Sequence, residues 1–485
     1  MSFLLYFSER WHRGAALLIL TFFCAAMGVT TPKTAWALSL SEEKELGEKI
    51  LQQIREKLPL IEDGEILTYV QSVGNRVSKQ VGTTSYQHNF FVVDQPVPNA
   101  FAVPGGNIFI YRGLIEMMSS EGELASILAH ELAHIQARHI HRRLEESKIL
   151  NVATIAGLVA GILLGGSSPE VSRAVVMGSM AGAKSFELKY SRENEEEADQ
   201  LGFRYLCAAG YPPDDMANIM QKMAQGNWST SSKIPSYLST HPALGERVQY
   251  LRDLASQQRK KTGSKVSSSG NQGDFPIMQA ALIAEYGDPR VALDRFEGDA
   301  QKGKTVALYG LGRFYLRQGK VKEAIPLLQQ AARQDSASPF ILSTLGSAYI
   351  EEGRLMEARR VLETALLLEP SASIVHFRLA MVLQEMGQKD AALEHLQQIK
   401  DLSPMFPEID YNLGVLYGQL NRLGLAHYHL GRYYQQKQDW ELAFFHYEKA
   451  RVLLKESPDK LQELDKTLKE VEKKKKKAHW ESYRK

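Results

Sequence analysis

Cysteine is almost missing from this chain: Cys24 and Cys207 are the two among 485 residues. Cys24 lies inside the apolar run GAALLILTFFCAAMGV (14–29), which follows Arg10, His12 and Arg13 and precedes the small-x-small pair Ala35 and Ala37. That order reads as an export signal, residues 1–37, cleaved after Ala37; an uncleaved membrane anchor is the alternative. Cleavage leaves Cys207 alone, which excludes an internal disulfide. Stability then rests on packing and on any bound metal. An excess of one charge is missing too. Lys and Arg number 58 against 56 Asp and Glu, a formal net charge of +2, so general affinity for nucleic acid or for a membrane surface is not expected. The exception is Lys473–Lys477, five lysines in a charged tail (458–485), read as a solvated helix end; an acidic partner or anionic lipid is the alternative. Long apolar runs are scarce beyond the leader. ILNVATIAGLVAGILLGG and AVVMGSMAGA, within 149–184, come near the ~20 residues a membrane span needs, but they are rich in Gly and Ala and are interrupted. They read as two buried or interfacial helices, an apolar lid or a hairpin in peripheral contact with a membrane, rather than as a span.

Against these absences stands LAHELAHIQARH (128–139). Ser120 and Glu123 form a capping box, and Leu124, Ile127, Leu128, Leu132 and Ile135 recur at helical spacing, so a helix is expected from Ser120 to about Arg143. Residues four apart share a helix face, which lets His130 and His134 reach one point. Glu131, rotated about 100° from His130, can lie beside a water there. Two ligands and one general base are the logic of His-Glu-x-x-His. An amphipathic helix with solvated histidines is the alternative, and His139 and His141 are read as solvated.

Around this helix the fold reads as mainly α with a small β-sheet. Two amphipathic helices fill residues 40–86. NFFVVD, NAFAV and NIFIY then suggest a small sheet with a hairpin turning at Pro104-Gly105-Gly106. SQQRKKTGSKVSSSGNQGDF (256–275) reads as a flexible linker. It separates a domain at 38–255 from one at 276–457 that repeats. Leu311, Gly312, Tyr315, Gly319 and Ala324 recur 34 residues later as Leu345, Gly346, Tyr349, Gly353 and Ala358, and again as Leu379, Ala380, Leu383, Gly387 and Ala392. Leu413, Gly414 and Tyr417 follow, and Leu430, Gly431, Tyr434 and Ala443 come half a period later. This is the tetratricopeptide period, an all-α solenoid with a concave binding surface.

A catalytic zinc site needs a third ligand. Position 140, where a further histidine would serve, is Ile. SRENEEEADQLGFRYL (191–206) supplies carboxylates on a helix capped by Ser191. Ala198, Gly202, Tyr205 and Leu206 mark its small and apolar face. Glu195 and Asp199 fall on that face, while Glu193, Glu196 and Glu197 point elsewhere. Glu195 is therefore the expected third ligand, and Asp199 the acceptor that fixes a ligand imidazole. A solvated acidic first turn is the alternative.

HELAH followed by SRENEEEAD resembles the gluzincin metalloproteases that include the CaaX prenyl protease and HtpX. With an export signal and a repeat array, the chain is similar to their soluble periplasmic, BepA-like branch, which NAFAVPGG (99–106) and STHP (239–242) also match. The resemblance spans essentially the whole mature chain. It implies a zincin-type domain with one Zn²⁺ per chain on His130, His134 and Glu195, Glu131 as general base, and Asp199 as the later aspartate of the pattern. It further implies that His241 can approach the zinc and keep the enzyme latent, and that Arg247 stabilises charge; on residues alone, His241 could equally sit in a surface loop. Asn99, Ala100, Phe101, Ala102 and Val103 are expected to form an edge strand that pairs with an extended substrate backbone. The implied function is an exported, periplasmic zinc endopeptidase acting on unfolded, misassembled or stalled envelope proteins. Its repeats would recruit substrates or the outer-membrane assembly machinery. An assembly chaperone or scaffold with a largely latent protease site is the alternative.

Overall fold

The computed structural model describes residues 40–82, 87–146, 190–226, 237, 240–262, 273–402 and 406–482. The expected signal peptide and the apolar stretch 149–184 lie outside them. Among the described residues no helix is long and apolar enough to cross a membrane.

Helices α1 (Leu40–Lys57) and α2 (Gly64–Ser78) precede a three-stranded sheet of β1 (Asn89–Val93), β2 (Ala100–Val103) and β3 (Asn107–Tyr111). The strand order is β1-β3-β2, with β1 parallel and β2 antiparallel to β3. Phe101 opposes Phe109, and their rings stack at 5.0 Å. The turn between β2 and β3 needs Gly105 and Gly106, both at positive φ (82° and 81°), a region costly for other residues. A short helix α3 (Arg112–Glu116) leads into α4 (Glu121–Gln136). Ser120 caps α4 by accepting from the Glu123 N–H. The Glu123 carboxylate reaches one residue further back than a standard box, to the Ser119 N–H at 2.8 Å. Every residue from Gly122 to His134 is buried, so α4 is a central helix rather than an amphipathic one. It packs on the sheet, on α2, on α6 (Arg192–Ala208) and on α7 (Asp214–Gln225), with α5 (His139–Glu146) following it.

Helix α8 (Leu244–Thr262) carries the chain across the expected boundary. Its last turns take up 256–262, which the sequence assigned to the linker; a buried Ala255 anchors them. Residues 263–272 lie outside the described residues.

The repeats then stack as helix pairs such as Thr305–Arg317 against Val321–Gln334, and the preceding helices Phe275–Tyr286 and Pro289–Gln301 both pack on Thr305–Arg317. The small residue of each repeat lets paired helices touch: a Cβ on Gly312 or Gly346 would come within 2.8 Å of Leu328 or Leu362. The half-period shift has a physical cause. Leu423–Gln436 packs against both Pro407–Gln419 and Trp440–Leu453, so one helix closes a repeat and opens the next. The tail at 458–485 is helical over Pro458–Ser482, and that helix is docked on the array rather than wholly solvated. Leu464, Leu468 and Val471 bury against Tyr428, Ala443, Tyr447 and Ala450, capping the array. Within the lysine run, Lys474 lies over the Trp440 ring and Lys475 pairs with Glu441 at 2.6 Å.

The two halves share one buried apolar cluster. Gln279 donates to the carbonyls of Ile115 and Met118 at 2.9 and 2.7 Å. Arg313 binds Asp63 and Glu65 of the N-terminal half, and Arg378, two repeats further on, binds Glu65 as well.

Candidate active site

Helix α4 meets α6 closely enough that a Cβ on Gly202 would stand 3.1 Å from the Ala129 carbonyl and the His130 Cα. That contact brings the small face of α6, with Glu195 and Asp199, against the histidine face of α4. His241, supplied by the segment before α8, completes a buried group: atoms of His130, His134, Glu195 and His241 all lie within 4.8 Å of one another. The His130 and His134 Nε2 atoms are 3.0 Å apart. Glu195 Oε1 lies 3.5 Å from His134 Nε2 and 2.9 Å from His241 Nδ1, and His241 Nδ1 lies 3.4 Å from His130 Nε2.

These edges suit a metal. Tetrahedral bonds of about 2.0–2.1 Å place neighbouring donor atoms roughly 3.3 Å apart. The donor chemistry fits as well. Burial and the neighbouring His130 and His241 hold the His134 imidazole well below its ordinary pKa, so it is neutral. Burial disfavours the Glu195 anion, but His241 and Arg247 outweigh it and hold the carboxyl below its usual range. Neutral imidazoles and a carboxylate are zinc ligands.

The Nδ1 atoms face outward. His130 Nδ1 lies 3.0 Å from Asp199 Oδ1. His134 Nδ1 lies 2.8 Å from His139 Nδ1. Arg247 does not face open space: it binds Asp199 through two bonds of 2.8 and 2.7 Å and also contacts Glu195. Its guanidinium can act on the centre only through those carboxylates. Burial opposes ionisation of Asp199, and Arg247 and His130 overcome it, holding the group far below the carboxylate range.

Glu131 is fully buried, and neither carboxylate oxygen has a hydrogen-bond partner among the described residues. Burial pushes its carboxyl up to about 7 against the pull of His130, with Glu195 adding to the rise. An unsatisfied pair of oxygens next to the ligand cluster is a place for a water and its proton. His241 Nε2 stands 3.8 Å from Glu131 Oε1. Tyr237 stacks on the His241 ring at 4.3 Å, and its buried hydroxyl also has no hydrogen-bond partner among the described residues.

The expected substrate strand is a sheet edge, since among the described residues β2 pairs only with β3. Asn99 accepts the Tyr111 N–H at 2.9 Å, and Ala100–Val103 are all buried. Sequence reasoning missed His139, which is 1 % exposed rather than solvated, and Glu197, which faces it at 3.2 Å. Helical periodicity could not find them. The helix breaks at Arg138, whose φ is 53°, and the chain turns His139 back onto His134.

Comparison with known proteins bears on this geometry. Residues 67–255 match Peptidase family M48, and 286–339, 315–377 and 349–411 match tetratricopeptide repeats. A beta-barrel assembly-enhancing protease of Yersinia pestis is 30% identical over 313 residues, 64% of this chain and 63% of that protein. The protein of that name in Escherichia coli K12 is 30% identical over 309 residues, 62% of this chain and 61% of its own. The metalloprotease LoiP of the same strain is 25% identical over 46% of this chain and 84% of its own. The chain thus spans less than two thirds of the length of the two assembly-enhancing relatives.

Proposed function

The chain carries a peptidase family M48 domain followed by tetratricopeptide repeats, and from that premise we propose that it is a zinc-dependent endopeptidase of the bacterial envelope acting on unfolded or misassembled proteins. The observation that carries this reading is the buried cluster of His130, His134, Glu195 and His241 beside the Glu131 carboxylate, which has no hydrogen-bond partner among the described residues. In it, His130, His134 and Glu195 would hold one Zn²⁺ per chain. Bound there, zinc would supply a Lewis acid able to polarise a peptide carbonyl and acidify a water.

The remaining chemistry belongs to the chain's own residues. Glu131 takes the proton of the attacking water and returns it to the leaving amine. Its low-dielectric position favours both transfers, because a base matched to neutral pH releases its proton readily. Asp199 holds His130 with Nε2 bare, and Arg247 holds Asp199 and Glu195 in register. The edge of β2, from Asn99 to Val103, pairs with extended substrate. Backbone pairing reads conformation rather than side chains, which suits unfolded chains. His241 fills the position a water needs, so the resting enzyme is latent until substrate or partner draws the His241 segment away.

The repeats recruit substrates or the outer-membrane assembly machinery, in keeping with relatives named beta-barrel assembly-enhancing protease. An export signal at 1–37 would deliver the chain to the periplasm. A second reading, a chaperone or scaffold with a latent protease site, draws on the same position of His241 among the ligand candidates.

Chelation tests the first reading. Stripping the purified protein of metal should abolish cleavage of casein, and one equivalent of Zn²⁺ should restore it. Cleavage that survives complete metal removal would end the zinc reading.

A further inference from the structure

We propose that His139 and Glu197 fix the tautomer of His134 and thereby aim its Nε2 at the metal, a positioning role distinct from the ligands and base assigned above. The inference rests on the reading of His130, His134 and Glu195 as metal ligands.

The argument is a proton count. His134 turns Nε2 toward the centre, 3.0 Å from His130 Nε2 and 3.5 Å from Glu195 Oε1. Its other nitrogen, Nδ1, lies 2.8 Å from Nδ1 of His139. Two imidazole nitrogens at that distance share one proton, so one donates and the other accepts. The choice is made further out. His139 Nε2 lies 3.2 Å from Glu197 Oε2, and a carboxylate can only accept. His139 therefore carries its proton on Nε2 and presents a bare Nδ1. His134 must donate from Nδ1, which leaves its Nε2 lone pair free for the ion.

His130 and His134 are thus set by different devices. Asp199 acts on His130 directly at 3.0 Å. On His134 the carboxylate acts through an intervening imidazole, and that carboxylate sits near the surface. The Glu197 side chain is 47% exposed, whereas those of His139 and His134 are at 0%. Arg142, on the same α5 as His139, holds the same Glu197 oxygen at 3.0 Å. Arg138 at φ 53° makes the geometry available: it ends α4 and lets α5 start with His139 against the ring one turn earlier. The two rings meet edge to face at 70°, their centroids 4.8 Å apart.

The test is zinc affinity, measured on the full chain by competition with a chromophoric chelator. Glu197→Lys replaces the acceptor at His139 Nε2 with a donor. Both protons then reverse, and His134 Nε2 becomes an N–H. Affinity should fall by about 10–100-fold, the usual effect of losing such an outer partner. His139→Leu should fall similarly. Glu197→Gln, whose amide oxygen still accepts, should stay near wild type. A space-filling role for His139 would lower the melting temperature of the metal-free protein without this ordering. Equal affinity for Glu197→Lys and wild type would overturn the proposal, and so would a loss in Glu197→Gln as large as in Glu197→Lys, because charge rather than tautomer would then be the cause. If His139→Leu does not fold, the half-exposed Glu197 variants carry the test. A wild-type chain that takes up no zinc would sink the metal-site reading instead.

Discussion

Arg313→Met should loosen the repeat array from the protease domain, and by a calculable amount. The Arg313 guanidinium is buried against Asp63 and Glu65, while Arg378 holds the other Glu65 oxygen and Ser343. Glu65 is 1 % exposed. Burial penalises its anion, yet Arg378 and Arg313 hold its carboxyl at about 2, below the ordinary 4.5. A depressed folded value contributes stability that is fully present above pH 4.5 and is lost as the pH falls through about 2. At ~1.4 kcal/mol per pKa unit, that shift amounts to about 3 kcal/mol. Removing Arg313 leaves Glu65 with a single arginine and takes a cation from Asp63. Losing one partner of a buried pair costs about 3–5 kcal/mol, the same scale. Urea unfolding of the full chain, followed by circular dichroism, would measure it. The midpoint for Arg313→Met should fall clearly below wild type at pH 7, and the gap should narrow as the pH drops from 4.5 toward 2. Adding Glu65→Gln to Arg313→Met should recover part of the loss, since it removes the stranded charge. A midpoint equal to wild type, or a deficit unchanged by pH, would refute the reasoning.

Two further perturbations act at the site itself. Gly202→Val would force α4 and α6 apart, because even its Cβ stands 3.1 Å from Ala129 and His130; overpacking of this kind costs about 1–3 kcal/mol, and zinc per chain after gel filtration should fall with the melting temperature. His241→Ala should vacate the fourth position while His130, His134 and Glu195 still hold zinc, so casein cleavage should speed up; a slower enzyme with full zinc content would contradict the latency reading.

Much of this arrangement is legible from periodicity alone. A 3.6-residue repeat puts His130 and His134 on one face and Glu195 and Asp199 on another, and Gly202 marks where the two helices can meet. The 34-residue period gives the solenoid, including the half-step at Leu430 that proves to be a shared helix. What escapes is whatever depends on a break or on distance. His139 and Glu197 meet only because Arg138 adopts a left-handed conformation, which no residue pattern announces. Nothing in the residue pattern couples Asp63 and Glu65 to Arg313, which lies 250 and 248 residues away. The lysine-rich end reads as a tail because its three buried anchors, Leu464, Leu468 and Val471, are sparse among charges.

The central claim is that Glu131 drives peptide hydrolysis at a metal held by α4 and α6. The direct test compares casein cleavage by purified residues 38–485 with that by Glu131→Gln, with zinc content measured on both. The account predicts equal zinc and a rate at least about 100-fold lower in the variant, the contribution expected of a general base. A Glu131→Gln protein that holds its zinc and cleaves at the wild-type rate would contradict it.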